Sequence, residues 1–87
     1  MQSLHYTVFM PRIQRFDSCQ ININPKDHMP PHFHVLASDG QEWLVRIDTC
    51  AILEGPRDTR TIRTALAWAA LPNNQKLLMR RFLELSR

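Results

Sequence analysis

The 87-residue chain has no run approaching the roughly 18 consecutive apolar residues of a membrane span. Between Met1 and Phe9 there is no basic stretch followed by an apolar core, so nothing reads as a secretory signal and a cytoplasmic location is expected. Two cysteines, Cys19 and Cys50, are too few for a disulfide framework. Both lie in strand-like surroundings, where buried free thiols are expected in a reducing compartment. Internal repeats and low-complexity tracts are absent, and the apolar fraction of 44% is ordinary for a globular chain, so disorder is not indicated. A chain this short makes one domain, residues 1–87, with a modest buried fraction.

What is present is unevenly spread. The net charge is +3. In residues 1–56, four cations against six anions leave −2, whereas in residues 57–87 seven cations against two anions leave +5. The basic character belongs to the C-terminal third, where Arg60, Arg63, Lys76, Arg80 and Arg81 are the candidate contacts for RNA, DNA or an acidic partner protein. The competing reading of the same residues is a solvated helix surface.

Hydrophobic period divides the chain in two. Pro11 to Phe16 reads as a short strand, with Phe16-Asp17-Ser18 as a turn. Cys19 to Asn24 alternates, which turns Cys19, Ile21 and Ile23 inward. A three-residue loop would set Ile13 opposite Ile21. Ser38-Asp39-Gly40-Gln41 signals a hairpin joining His32–Ala37 to Glu42–Ile47. A two-residue turn there would place His34 opposite Val45 and His32 opposite Ile47, with Trp43 on the same face. Thr49 to Leu53 adds a short strand before Glu54-Gly55-Pro56 breaks the pattern. Beyond it Ile62, Ala65, Leu66 and Ala69 follow helical spacing, with Asp58 or Thr59 as cap, and Pro72 ends the helix. Asn73 or Asn74 would cap a second helix, whose apolar side is Leu77, Leu78, Phe82 and Leu85. Strands first and helices last predict an α+β domain: a small antiparallel sheet followed by two C-terminal helices packed on one face.

The chemistry is concentrated in Asp27-His28-Met29-Pro30-Pro31-His32-Phe33-His34-Val35, which holds three of the four histidines. The prolines force an extended elbow and remove backbone freedom. After it, His32 and His34 at i and i+2 share one face of a strand, while Phe33 and Val35 share the other. Three readings stay open at this level. The rings can pack as structural groups that donate to carbonyls. They can hold a divalent metal ion, with the further ligands drawn from Asp27, His28 or His5. Or His28, His32 and His34 can serve as general acid and base, as RNA cleavage requires, with Asp27 orienting a ring and Lys26, Arg15 or Arg46 stabilising a phosphate. Asp27 has a plainer role available as a cap of the elbow.

This stretch closely resembles the signature of the family catalogued as domain of unknown function 4160. Met10-Pro11-x-Ile13-x-Arg15-Phe16 resembles that family's opening, and Ala65-Leu66-x-Trp68-Ala69 its helix motif. The likeness makes the family-like core about residues 10–85. Residues 1–9 are then an N-terminal extension, and Met10 an alternative translation start. Members are often encoded beside a second small family, domain of unknown function 2442, in a pair that looks like a toxin–antitoxin module. The resemblance thus implies a small protein of such a pair, acting through partner or nucleic-acid binding with a histidine-rich site, and a small acidic partner encoded nearby. The alternative is a ribonuclease using the His28/His32/His34 cluster, metal-free or metal-dependent.

Overall fold

A computed structural model describes residues 12–86. The extension 1–9, His5, Met10 and Pro11 lie outside the described residues. Five strands form one antiparallel sheet in sequential order: β1 (Arg12–Arg15), β2 (Cys19–Asn22), β3 (His32–Ala37), β4 (Glu42–Arg46) and β5 (Ile52–Glu54). A 3-10 turn (Arg60–Ile62) leads into α1 (Arg63–Ala70) and α2 (Pro72–Leu85). Among the described residues no helix is long and apolar enough to cross a membrane.

Alternation sorts the sheet into two faces. Cys19, Ile21, Ile23, Phe33, Val35, Ala37, Trp43, Val45 and Ile47 are buried together with Ile62, Ala65, Ala69, Leu78 and Phe82 of the helical layer. The expected inward set of the second strand and the helix stripe are therefore the core. The same pairing carries His32, His34 and Leu36 with Leu44 and Glu42 to the opposite face.

Two registers differ from expectation. The β3–β4 loop has three residues, not two: Ala37 N–H donates to Gln41 O at 2.9 Å and Gly40 N–H to Ala37 O at 3.0 Å. Gly40 takes φ +95°, the left-handed position such a loop needs. The extra residue moves the pairing by one. His34 lies opposite Leu44 and His32 opposite Arg46, while Phe33 and Val35 face Val45 and Trp43. The reason is burial: the one-residue slip would have put Trp43 and Val45 on the opposite face from Phe33 and Val35. At β1–β2 the loop is the shorter one, closed by Phe16 N–H donating to Cys19 O at 2.8 Å. Gln14 pairs with Ile21, and Ile13 sits in a bulge that still packs on the core.

The helix ends match in part: Asp58, one of the two expected caps, serves the first helix, whereas Leu71 and not Asn73 or Asn74 stands at the N-cap of the second. Asp58 accepts the Arg60 N–H at 3.0 Å, whereas Thr59 makes no side-chain cap. Pro72 is the first residue of α2, where its missing N–H costs nothing. Asn74 donates back to Trp68 O at 3.0 Å, and Gln75 reaches Ile47 O and Asp48 O at 3.0 and 2.9 Å, tying α2 to the β4–β5 turn. Trp43 is fully buried and donates to Pro56 O at 2.9 Å. Gly55 passes so close that a Cβ there would stand 2.5 Å from the Trp43 ring. Cys19 is buried, Cys50 only half-buried, both are free thiols, and burial pushes both above the ordinary thiol range.

Candidate metal centre

The elbow returns the chain over the face that carries His32 and His34. Lys26, at φ +62°, turns the backbone and donates its N–H to Leu85 O at 2.8 Å, which fixes the loop to the end of α2. Asp27 follows and reaches inward. Its Oδ2 lies 3.1 Å from His32 Nε2 and 2.9 Å from His34 Nε2. The two imidazole centroids are 5.2 Å apart. Both histidines are buried, 7% and 8% exposed, and the His32 ring also lies 5.7 Å from that of Phe82.

The other ring nitrogens decide what faces Asp27. His32 Nδ1 is 2.8 Å from Pro30 O. A carbonyl only accepts, so Nδ1 carries the hydrogen. His34 Nδ1 is 2.8 Å from Glu42 Oε2, an acceptor as well, so the same holds there. A neutral imidazole then presents a lone pair at Nε2. Two such lone pairs and a carboxylate oxygen converge, with the three ligand atoms all within 4.8 Å of one another. Asn24 Nδ2, at 3.2 Å from His34 Nε2, can donate to one of them. The rest of the cluster is electron-rich and calls for a positive charge between its members: a proton or a metal ion.

The expected residues fall in separate places. Asp27, His32 and His34 come together. His28 is exposed on the rim and stands outside that ligand group. Arg15 lines a different hollow, at the turn end of the sheet. Arg46 donates to Asp48 at 2.6 Å, and that contact holds the Asp48 carboxyl below the usual range. Neither Arg15, Lys26 nor Arg46 is among the residues lining the open depression of about 280 Å³ above the cluster, which are Asp27, His28, Met29, Pro30, His32, His34, Leu44, Leu53 and Glu54. The basic residues of the helical layer lie elsewhere again. Arg60 forks onto Asp58, with contacts of 2.6 to 3.2 Å, and holds that carboxyl down at about 2. Arg63, Lys76, Arg80 and Arg81 are exposed, Arg81 within 3.9 Å of Glu84.

Two participants escaped the sequence reading: Glu42 and Asn24. Glu42 pairs with Leu36 and sits diagonally from His34, a relation visible only once the hairpin register is right. Asn24 extends the alternation of Asn22, which pairs with His34. The polar partners of Cys19-Ile21-Ile23 were the available signal.

A family model described as Domain of unknown function (DUF4160) matches residues 20–82. That span takes in β2 through most of α2, including the whole cluster. No curated protein and no solved structure matches the chain.

Proposed function

The chain belongs to the family described as Domain of unknown function (DUF4160), and we propose that it works through a divalent transition-metal ion held by His32 Nε2, His34 Nε2 and Asp27 Oδ2. One observation carries this reading: each histidine spends its Nδ1 hydrogen on an outward acceptor, Pro30 O or Glu42, and aims Nε2 at the same carboxylate oxygen. Ligating histidines are held in this way, with the second nitrogen donating to a carbonyl or carboxylate. The spacing suits an ion as well. Ligands bound at about 2.1 Å stand about 3.0 Å apart at a right angle and about 3.4 Å at the tetrahedral angle, beside the observed 2.9 and 3.1 Å. Three protein ligands leave positions free, as in catalytic rather than structural sites. The bound ion would polarise a carbonyl or acidify a water facing the depression. The metal-free ribonuclease alternative receives less support, because among the described residues no Lys or Arg lines that depression.

Equilibrium dialysis against Zn²⁺, Co²⁺ or Mn²⁺, followed by elemental analysis, tests the reading. One ion per chain is expected. His32→Ala, His34→Ala and Asp27→Ala should each lose it, and His28→Ala should keep it. Retention of the ion by His34→Ala, or no binding at millimolar metal, would overturn the proposal.

A second reading rests on a separate observation, the exposure of Arg63, Lys76, Arg80 and Arg81 on the helical layer. It is the expected role in a toxin–antitoxin-like pair: these cations would grip a small acidic partner protein or a nucleic acid.

A further inference from the structure

The surroundings of the cluster restrict what a metal ion there can meet. Resting on the metal reading above, we infer that the ligand of the open face is an extended apolar peptide segment, neutral or basic, and not a polyanion.

Charge is the first reason. Asp27 and Glu42 stand at the cluster, and Glu54 lines the depression. With neutral imidazoles, three carboxylates and one divalent ion leave about −1, and among the described residues no Lys or Arg on the lining offsets it. A nucleic acid brings a negative charge with every phosphate, and its affinity rests on cations at the contact. The nearby Arg46 already donates to Asp48.

The walls are the second reason. Met29, Pro30, Leu44 and Leu53 supply the apolar side, with Met29 68% and Leu53 43% exposed. Large apolar side chains left in water around a polar centre mark a surface that expects an apolar partner.

The border is the third. Leu53 and Glu54 belong to β5, whose one hydrogen-bonded neighbour among the described residues is β4, so that it forms an edge of the described sheet. An edge presents unpaired N–H and C=O groups, which an extended peptide can use. The opposite edge differs. Both outer strands carry a bulge, at Ile13 in β1 and at Leu53 in β5, but β1 also carries Arg12 and Arg15, charges that discourage pairing, whereas β5 reads Ile52-Leu53-Glu54 with no cation and all three exposed. A peptide lying along β5 would rest its side chains on Leu53 and Met29 and bring a carbonyl toward the ion.

Cobalt(II)-loaded protein provides the test, since its visible spectrum reports on the open coordination positions. Three probes are titrated: a di-leucine hydroxamate, a di-glutamate hydroxamate and an oligouridylate. The di-leucine probe should perturb the spectrum at about tenfold lower concentration than either other probe, a factor equal to about 1.4 kcal/mol. Leu53→Asp should erase that advantage with cobalt content unchanged, and Glu54→Lys should draw the di-glutamate probe closer. Oligouridylate or di-glutamate acting at the lowest concentration would overturn the peptide assignment while leaving the metal centre standing. A protein that develops no cobalt spectrum would overturn the metal reading, and this one with it.

Discussion

The two faces of the sheet are built from alternate residues of the same strands, and they do different work. On one face Phe33, Val35, Trp43 and Val45 are fully buried beneath the helices. On the other His32, His34, Leu44 and Glu42 surround a polar centre that opens to a depression. The closed face is held by non-directional burial, which tolerates approximate geometry. The open face is held by two directional hydrogen bonds of 2.8 Å, His32 Nδ1–H to Pro30 O and His34 Nδ1–H to Glu42 Oε2, which aim both Nε2 atoms at Asp27. Among the described residues no buried side-chain nitrogen or oxygen lacks a partner. The buried closed face thus acts as the platform on which a more directional open face is assembled.

The largest effect that separates the faces is expected from Phe33→Ala. Truncating a fully buried aromatic costs about 3–5 kcal/mol, a large part of the stability of a domain this small. Urea denaturation should show that loss, while the folded fraction still binds one metal ion per chain. A mutant that stays stable but loses the ion would show that the faces are not separable.

A smaller effect, confined to the open face, is expected from Glu42→Leu. Glu42 does not touch the ion in the proposed centre; it holds the His34 ring by accepting its Nδ1–H. Loss of such a partner lowers metal affinity by roughly 10–100-fold. Because the Glu42 side chain is about half exposed, the melting temperature of the metal-free protein should change little. Glu42→Gln, whose amide oxygen can still accept, should recover part of the affinity. Equal affinity in all three proteins would remove Glu42 from the site.

This division was partly legible in the sequence. The alternation of Cys19-Ile21-Ile23 and the i and i+2 placement of His32 and His34 follow from chain geometry alone, and both are present. So is the order of strands before helices. The hairpin register differs from the expected one because Asp39-Gly40 suits a two-residue turn locally, whereas Gly40 serves at the end of a three-residue one. The sequence held the means to decide: only the longer loop puts Trp43 and Val45 with Phe33 and Val35. With that register Glu42 would have been placed beside His34. The convergence of Asp27 on both Nε2 atoms was less accessible, because it depends on where the elbow is anchored. That anchor is a contact from Lys26 to Leu85, far apart in sequence.

The smallest expected effect concerns the helical layer, and it sharpens the comparison by charge. The open face is acidic around its cluster, whereas Arg63, Lys76 and Arg80 are exposed on α1 and α2. Lys76 and Arg80 are four residues apart on one helix, so their side chains rise from the same side of α2. Arg60 contributes less to such a surface because Asp58 already occupies its guanidinium. If the basic layer binds polyanions, an oligouridylate should bind there with an affinity that falls as salt rises, by about 0.7 in the log–log slope for each phosphate contact. Replacing Arg63, Lys76 and Arg80 together by glutamine should therefore flatten the slope by up to about 2. The cobalt spectrum of the open face should not respond to this binding, because the two surfaces have opposite charge and share none of these residues. A slope unchanged by the triple replacement would remove the helices from polyanion binding. A cobalt spectrum that follows oligouridylate binding to the helical layer would show that the two faces communicate.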